Sequence, residues 1–341
     1  MRLSRRGALG LGAGGLGLAT LALRGWARRP SRDGATPITV QARPLAGFRP
    51  GEPGRRRFGA LTFRSGLHLT SEARGFGGFS GLWRSPDGGR IVAVSDRARW
   101  LTAAIVSEGE RLRGLADAVL APVLGPEGEP LGRGESWDVE ALAMADGVAT
   151  LAVERAHALF RFDWARDGVA ARAAPVPLPA EAAHLPRNKG LEALAVAPAD
   201  GPLRGALVAV SERARWGDDA PTRGFILSGP EAGAFDLVRS GGYDITDLAF
   251  LDTGEALLLE RRYAVVDGPA VRLRRLGPDA VRPGRLVDGP VIFEAASGHE
   301  IDNMEGLAVH RDAGRTIVTL ISDDNFSSLQ RTLLLEFLLE G

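Results

Sequence analysis

Cysteine is absent from the 341 residues, which excludes a disulfide scaffold, a thiol nucleophile, an iron–sulfur cluster and Cys-ligated zinc. Lysine is almost absent as well: Lys189 stands alone, and every other basic residue is arginine. There is no excess charge of either sign, with 42 Lys+Arg against 42 Asp+Glu. A basic face able to release phosphate counterions is therefore not expected, and nucleic acid is not an expected partner. The 45 glycines and 21 prolines remain below the roughly 25–30% that marks a low-complexity chain. With 45% hydrophobic residues the chain can build a large core. Beyond residue 35 no long amphipathic helix and no membrane-spanning run is apparent.

The first thirty residues differ from the rest. Met1 to Arg6 is short and basic, Ala8 to Leu23 is an uncharged Gly/Ala/Leu run, and Arg24, Arg28 and Arg29 follow. This is the layout of a secretory signal, and Ser4-Arg5-Arg6-Gly7-Ala8-Leu9 resembles the twin-arginine motif, with Ala8 in place of the usual Phe. The expectation is folded export through the twin-arginine machinery to the bacterial periplasm, with signal anchoring if the segment is not cleaved. No clean Ala-x-Ala cleavage site stands out near Leu23 to Ala27, and no membrane span is expected once the signal is removed. Residues 1–30 hold six arginines and no acid, so the remainder carries 36 basic and 42 acidic residues, a formal charge of −6.

Short apolar runs such as Ile91–Val94, Ala149–Val153 and Ala206–Val210 are bounded by Gly, Pro, Asp or Asn, the pattern of many short β-strands. The chain also repeats itself. Ser95-Asp96-Arg97-Ala98-Arg99-Trp100 returns as Ser211-Glu212-Arg213-Ala214-Arg215-Trp216, with weaker copies at Glu154-Arg155, Glu260-Arg261 and Asp323-Asp324. Ahead of each copy lies a quartet: Phe79-Ser80-Gly81-Leu82, Val139-Glu140-Ala141-Leu142, Leu191-Glu192-Ala193-Leu194, Thr246-Asp247-Leu248-Ala249 and Met304-Glu305-Gly306-Leu307. A period of roughly 56 residues with several strands per unit predicts an all-β chain, a β-propeller. Five copies leave strand-like stretches at Ile38–Gln41, Phe58–Leu69 and Leu333–Leu339. These predict a sixth blade closed by both chain ends, within a range of five to seven blades. The expected organisation is a signal segment at 1–30, a linker and first strand at 31–57, and the propeller at 58–341.

Equivalent positions of a propeller repeat around its axis. The quartets predict a ring of Glu140, Glu192, Asp247 and Glu305 with Ser80. The second motif predicts Asp96, Glu154, Glu212, Glu260 and Asp323, four of them followed by Arg97, Arg155, Arg213 and Arg261. Gathered carboxylates repel one another unless cations compensate. The compensating charge is either the arginines, in bidentate pairs that tie blade to blade, or a hard cation, chiefly Ca²⁺. Asp302-Asn303-Met304-Glu305 and Asn188-Lys189-Gly190-Leu191-Glu192 each add an amide to a glutamate, a combination that suits calcium. Metal ligands are thus expected at Glu140, Glu192, Asp302, Asn303 and Glu305. Catalytic roles fall to Arg97, Arg155, Arg213, Asp96, Glu212 and Asp323, and substrate contacts to Lys189, Asn188 and Arg261. No nucleophile elbow, P-loop, H-E-x-x-H or EF-hand loop occurs. His299, near Asp302, is a candidate acid/base, and Trp100 and Trp216 read as packing residues.

The ordered set Phe79-Ser80-Gly81-Leu82, Ser95-Asp96-Arg97, Asp138-Val139-Glu140-Ala141-Leu142, Asn188 to Leu194, and Asp302 to Leu307 followed by Ser322-Asp323-Asp324-Asn325-Phe326 resembles the phytase-like family described as "esterase-like activity of phytase". The resemblance spans about residues 58 to 339. It implies an exported bacterial propeller with hydrolytic activity on phosphoric or carboxylic esters and a small anionic or ester substrate. Calcium-dependent propeller phytases are related in architecture, yet their phosphate sites are rich in lysine and this chain has one. Two other readings stand beside the hydrolase: a calcium-dependent lactonase-like propeller, and a non-catalytic ligand-binding or scaffold propeller.

Overall fold

The alternating apolar runs separated by turns form strands throughout, because β-branched and aliphatic side chains on both faces of a short strand are buried only between stacked sheets. A computed structural model of the chain describes residues 34–341 except 132–137, 216, 218 and 265–267. The expected signal segment and Trp216 lie outside the described residues. Among the described residues helix is confined to single turns at Trp164–Asp167, Gly168–Ala170 and Ala180–His184, and none of these is long and apolar enough to cross a membrane.

Five sheets, blades I to V, surround an axis; all strand pairings are antiparallel except that Leu286–Val287 joins the edge of blade III parallel to Gly233–Leu237. Their inner strands are Phe79–Arg84, Val139–Ala145, Leu191–Val196, Asp244–Phe250 and Asn303–Asp312, and each packs against the next until the fifth meets the first. Apolar side chains fill the five seams. Val94 and Trp100 meet Val139 and Leu151 between I and II, Leu159 meets Leu191 and Phe225 between II and III, and Val210 meets Leu258 between III and IV. Leu259 meets Met304 and Phe337 between IV and V, and Leu67 and Leu334 meet Phe79 between V and I. Trp100 is fully buried edge-on to Phe162 and Trp164, a packing residue.

Among the described residues there are five blades, and the expected sixth is not formed. The fifth unit contributes Asn303–Asp312, Arg315–Asp323 and Thr332–Leu339 and takes its outer strands from elsewhere. The N-terminal strands Leu61–Thr70 and Gln41–Pro44 supply them, in the order Gln41–Pro44, Leu61–Thr70, Thr332–Leu339, Arg315–Asp323, Asn303–Asp312. Both chain ends thus close the last blade, as expected, but that blade is the fifth. Thr36–Pro37 goes instead to the outer edge of blade I, beside Arg111–Pro122.

Every inner strand carries a register shift at the same place. Against the second strand of its blade, one residue is passed over between Phe79 and Gly81, Val139 and Ala141, Leu191 and Ala193, Ile245 and Asp247, and Met304 and Gly306. The position after this bulge faces the neighbouring inner strand at close range. A Cβ on Gly81 would lie 2.8 Å from the Cβ and backbone N of Leu142, and one on Gly306 would lie 2.9 Å from the Cβ of Leu82. Small residues at this position in four of the five blades, Gly81, Ala141, Ala193 and Gly306, let the strands crowd one axis.

Candidate active site in the axial well

A β-bulge re-aims the extra side chain. The bulged residues are Ser80, Glu140, Glu192, Thr246 and Glu305, and the same register places Asp96, Glu154, Glu212, Arg261 and Asp323 beside them at the end of each second strand. The fourth blade therefore differs from the sequence reading by one residue in both motifs. Asp247 is not in the ring: its carboxylate accepts the backbone N–H of Leu248 at 2.8 Å and of Leu307, in blade V, at 2.6 Å. Glu260 is fully buried one residue before the ring, where Arg272 and Arg274 grip it at 2.7 and 2.8 Å. Blade IV gives the well a hydroxyl and a guanidinium where blades II, III and V give carboxylates.

The carboxylates of Asp138, Glu140 and Glu154 lie within 4.8 Å of one another, and so do those of Glu154, Glu192 and Glu212. Burial and mutual repulsion penalise ionisation. Burial first, then Glu305, Asp138 and Glu154, pushes Glu140 well above the usual carboxylate range. Glu192 rises in the same way through burial and then Glu140 and Glu212. Burial raises Glu154 to about 7, against the Gly190 N–H that it accepts at 3.1 Å. On the opposite side of the well, burial and then Asp323 raise Asp96 to about 7, and burial and then Glu305 raise Asp323 to about 7. Arg261 is the countercharge. Burial works against its protonated form, and Glu305, Glu192, Glu212 and Glu140 outweigh that effect and hold it charged. It donates to Asn303 and reaches Glu305 at 3.1 Å, while the Asn303 amide donates to Glu305 at 2.8 Å.

The remaining residues singled out in the sequence separate into those at the well and those that brace it. Lys189 meets both oxygens of Glu212 at 2.6 and 2.7 Å. Arg155 pairs with Asp138 at 2.9 Å, and Arg213 grips Asp244 of blade IV with two bonds at 2.9 and 2.7 Å. Arg97 stacks 3.6 Å over the ring of Phe326. Asp302 is turned toward a loop, accepting from Gln330 and from the backbone of Asn303 and Arg331. Asn188 is exposed on the turn before Lys189. His299 packs on Phe48 and Phe58 with its ring nitrogen against the Ala296 carbonyl, in the core of the IV–V seam. Two residues not given site roles from sequence, Asp138 and Glu154, complete the carboxylate cluster; Asp138 belongs to a motif that flagged only its glutamate.

The donor set fits a metal ion. It consists of two carboxylate triads that share Glu154, each close enough to hold one centre; across the well, Asp96 Oδ1 is buried without a hydrogen-bond partner among the described residues. A hard cation would relieve the repulsion that raises these groups. The well opens through a cavity of about 800 Å³ lined by Lys189, Glu212, Arg261, Asn303 and loop residues of blades IV and V. Toward the other end of the axis the inner strands present Leu82, Leu142, Leu194, Leu248 and Leu307, all buried, around a hollow of about 150 Å³. Charge is thus gathered toward one face and apolar surface toward the other.

A five-bladed β-propeller with a carboxylate-lined axial well is the class of protein that fold and site define. Residues 74–326 match the model of the phytase-like family, described as esterase-like activity of phytase, and the chain belongs to that family. No curated protein matches the sequence. Among solved structures the chain is similar to the PQQ-bound aldose sugar dehydrogenase of Streptomyces coelicolor, at 12% identity and a TM-score of 0.41 over 88% of this chain and 99% of that one. It is also similar to a chain of a nidogen/laminin complex, at 10% identity and a TM-score of 0.39 over 77% and 87%. Similarity at that level carries no argument about activity.

Proposed function

We propose that the protein is an exported hydrolase of phosphoric or carboxylic esters, working in the axial well with Ca²⁺ held by Glu154, Glu192 and Glu212, with the adjoining acids Asp138 and Glu140 beside them. The observation that carries this reading is the convergence of these carboxylates beside a charged Arg261 at the base of an open cavity. A bound cation would polarise the ester oxygen and lower the pKa of water. The chain's own residues divide the remaining work. Arg261 stands ready to stabilise negative charge developing on the ester. Asp96 and Asp323, each pushed up to about 7 by burial and neighbouring acids, can exchange a proton near neutrality. Lys189 holds Glu212 in place.

The test combines metal analysis of the exported protein, calorimetric titration with Ca²⁺, and a panel of phosphoesters, carboxylic esters and lactones. Chelator-sensitive turnover of an ester supports the reading; turnover of lactones alone shifts it to a lactonase. The sideways pairing of Arg155 and Arg213 favours a second reading, a non-catalytic ligand-binding propeller. Calcium-loaded protein inert across the panel would establish that one instead. For export, replacing Arg5 and Arg6 by lysine is expected to retain the protein in the cytoplasm, read by cell fractionation.

A further inference from the structure

The cavity over the well changes character from base to rim. Glu212 at the base is buried, whereas Tyr263 and Leu329, which line the same cavity, are 76% and 92% exposed. Among the described residues six large apolar side chains are strongly exposed, and two of the six stand at this one opening. Tyr263 comes from the blade IV hairpin, opposite Pro269, and Leu329 from the loop that Asp302 secures in blade V. Pro269 and Ala270 also line the cavity and extend the apolar rim.

A cation stands beside this rim. The Arg262 guanidinium lies 5.1 Å from the Tyr243 ring and touches the Gly241 carbonyl at 3.5 Å, and it meets no carboxylate among the described residues. Its Nε is buried without a partner. Lys189, Arg213 and Arg261 line the same cavity, each paired with a carboxylate, Glu212, Asp244 or Glu305. Among the described residues lining the opening, Arg262 is therefore the cation at the rim that no carboxylate engages.

We propose that this opening selects an anionic ester bearing a flat apolar substituent, with Arg262 taking the anionic group and Tyr263 and Leu329 covering the substituent. This rests on the hydrolase reading of the well and narrows its substrate class. A polyanion with no apolar face, such as an inositol polyphosphate, would leave both rim side chains in water. An aryl ester would cover them, and contact with one aromatic ring is worth about a tenfold change in affinity.

Calorimetry on the calcium-loaded full chain with 1-naphthyl phosphate and methyl phosphate tests the proposal. The naphthyl compound is expected to bind about tenfold tighter. Tyr263→Ala and Leu329→Ala should each reduce that ratio severalfold, whereas Leu286→Ala, an exposed leucine on blade III, should leave it unchanged. Arg262→Gln should weaken both probes together. Equal affinities for the two probes, a ratio indifferent to Tyr263 and Leu329, or no binding of either probe would overturn the proposal. Assays of the same two compounds separate it from the parent reading. A binding preference without turnover removes the hydrolase and leaves the rim, whereas turnover without preference removes the rim and leaves the hydrolase.

Discussion

Glu192 shows how burial and neighbouring acids hold one side chain in an unfavourable state. It is buried, it faces Glu140 and Glu212, and its ionised form is penalised by both. Glu192→Gln keeps the shape and removes the repulsion. Calcium-free protein carrying it should melt about 2–4 °C higher, and the rise in melting temperature on adding Ca²⁺ should shrink sharply. A melting curve with and without chelator reads both. His310 gives the opposite dependence on pH, away from the well. Burial, then Arg84 and Arg64, lowers it to about 4, so between that value and the ordinary 6.5 the unfolded chain binds a proton that the folded one does not. The contribution of His310 to stability should fall as pH drops from 6.5 toward 4, by about 1–2 kcal/mol after allowance for screening, while the raised well acids act in the opposite direction. Relative to the parent chain, His310→Gln should therefore gain stability at pH 5 compared with pH 7 in urea titrations.

At the scale of the strand, the bulge decides which side chain reaches the well, and this is where the sequence was legible only in part. The repeats located the hairpins, and Glu140, Glu192 and Glu305 fall on bulges because each follows a buried apolar residue and precedes Ala or Gly. In blade IV the pattern offers Thr246-Asp247, and residue type favours the acid. Register overrides it, since Asp247 occupies the position that is Gly81, Ala141, Ala193 or Gly306 in the other blades. There its carboxylate serves the backbone of Leu307. The same shift makes Arg261 the partner of the well acids and leaves Glu260 to two arginines inside the sheet. Asp247→Ala would leave two buried N–H groups unpaired and should cost about 2–4 kcal/mol. Asp247→Asn, which keeps an acceptor, should cost under half of that. Neither should alter calcium affinity, whereas a ring aspartate would, so denaturation and calorimetry on the same pair of variants test the register directly.

For the whole molecule, the number of blades follows from which sheet Gln41–Pro44 and Leu61–Thr70 join rather than from how many strands there are. Counting the repeats gives five; counting unassigned strands suggests six, because strand propensity carries no information about which sheet a terminal strand joins. What decides is the open edge of Thr332–Leu339, which would otherwise present unpaired backbone groups beside Leu333, Leu334, Leu335 and Phe337. Leu61–Thr70 pairs with it from Thr332 opposite Leu69 to Leu339 opposite Leu61, and carries Leu67 and Leu69 into the V–I seam. Every inner strand touches two neighbours, so the ring is held only if this seam is made. A chain beginning at Ser71 should therefore lose the cooperative unfolding of all five blades and aggregate through the exposed edge. An independent sixth blade would predict the loss of one sheet and a melting transition retained by the others. A synthetic peptide of residues 57–70 added during refolding should restore a single transition, followed by circular dichroism. Recovery of calcium binding in the same sample would show that the well, built from the opposite ends of these strands, depends on the closure of the ring.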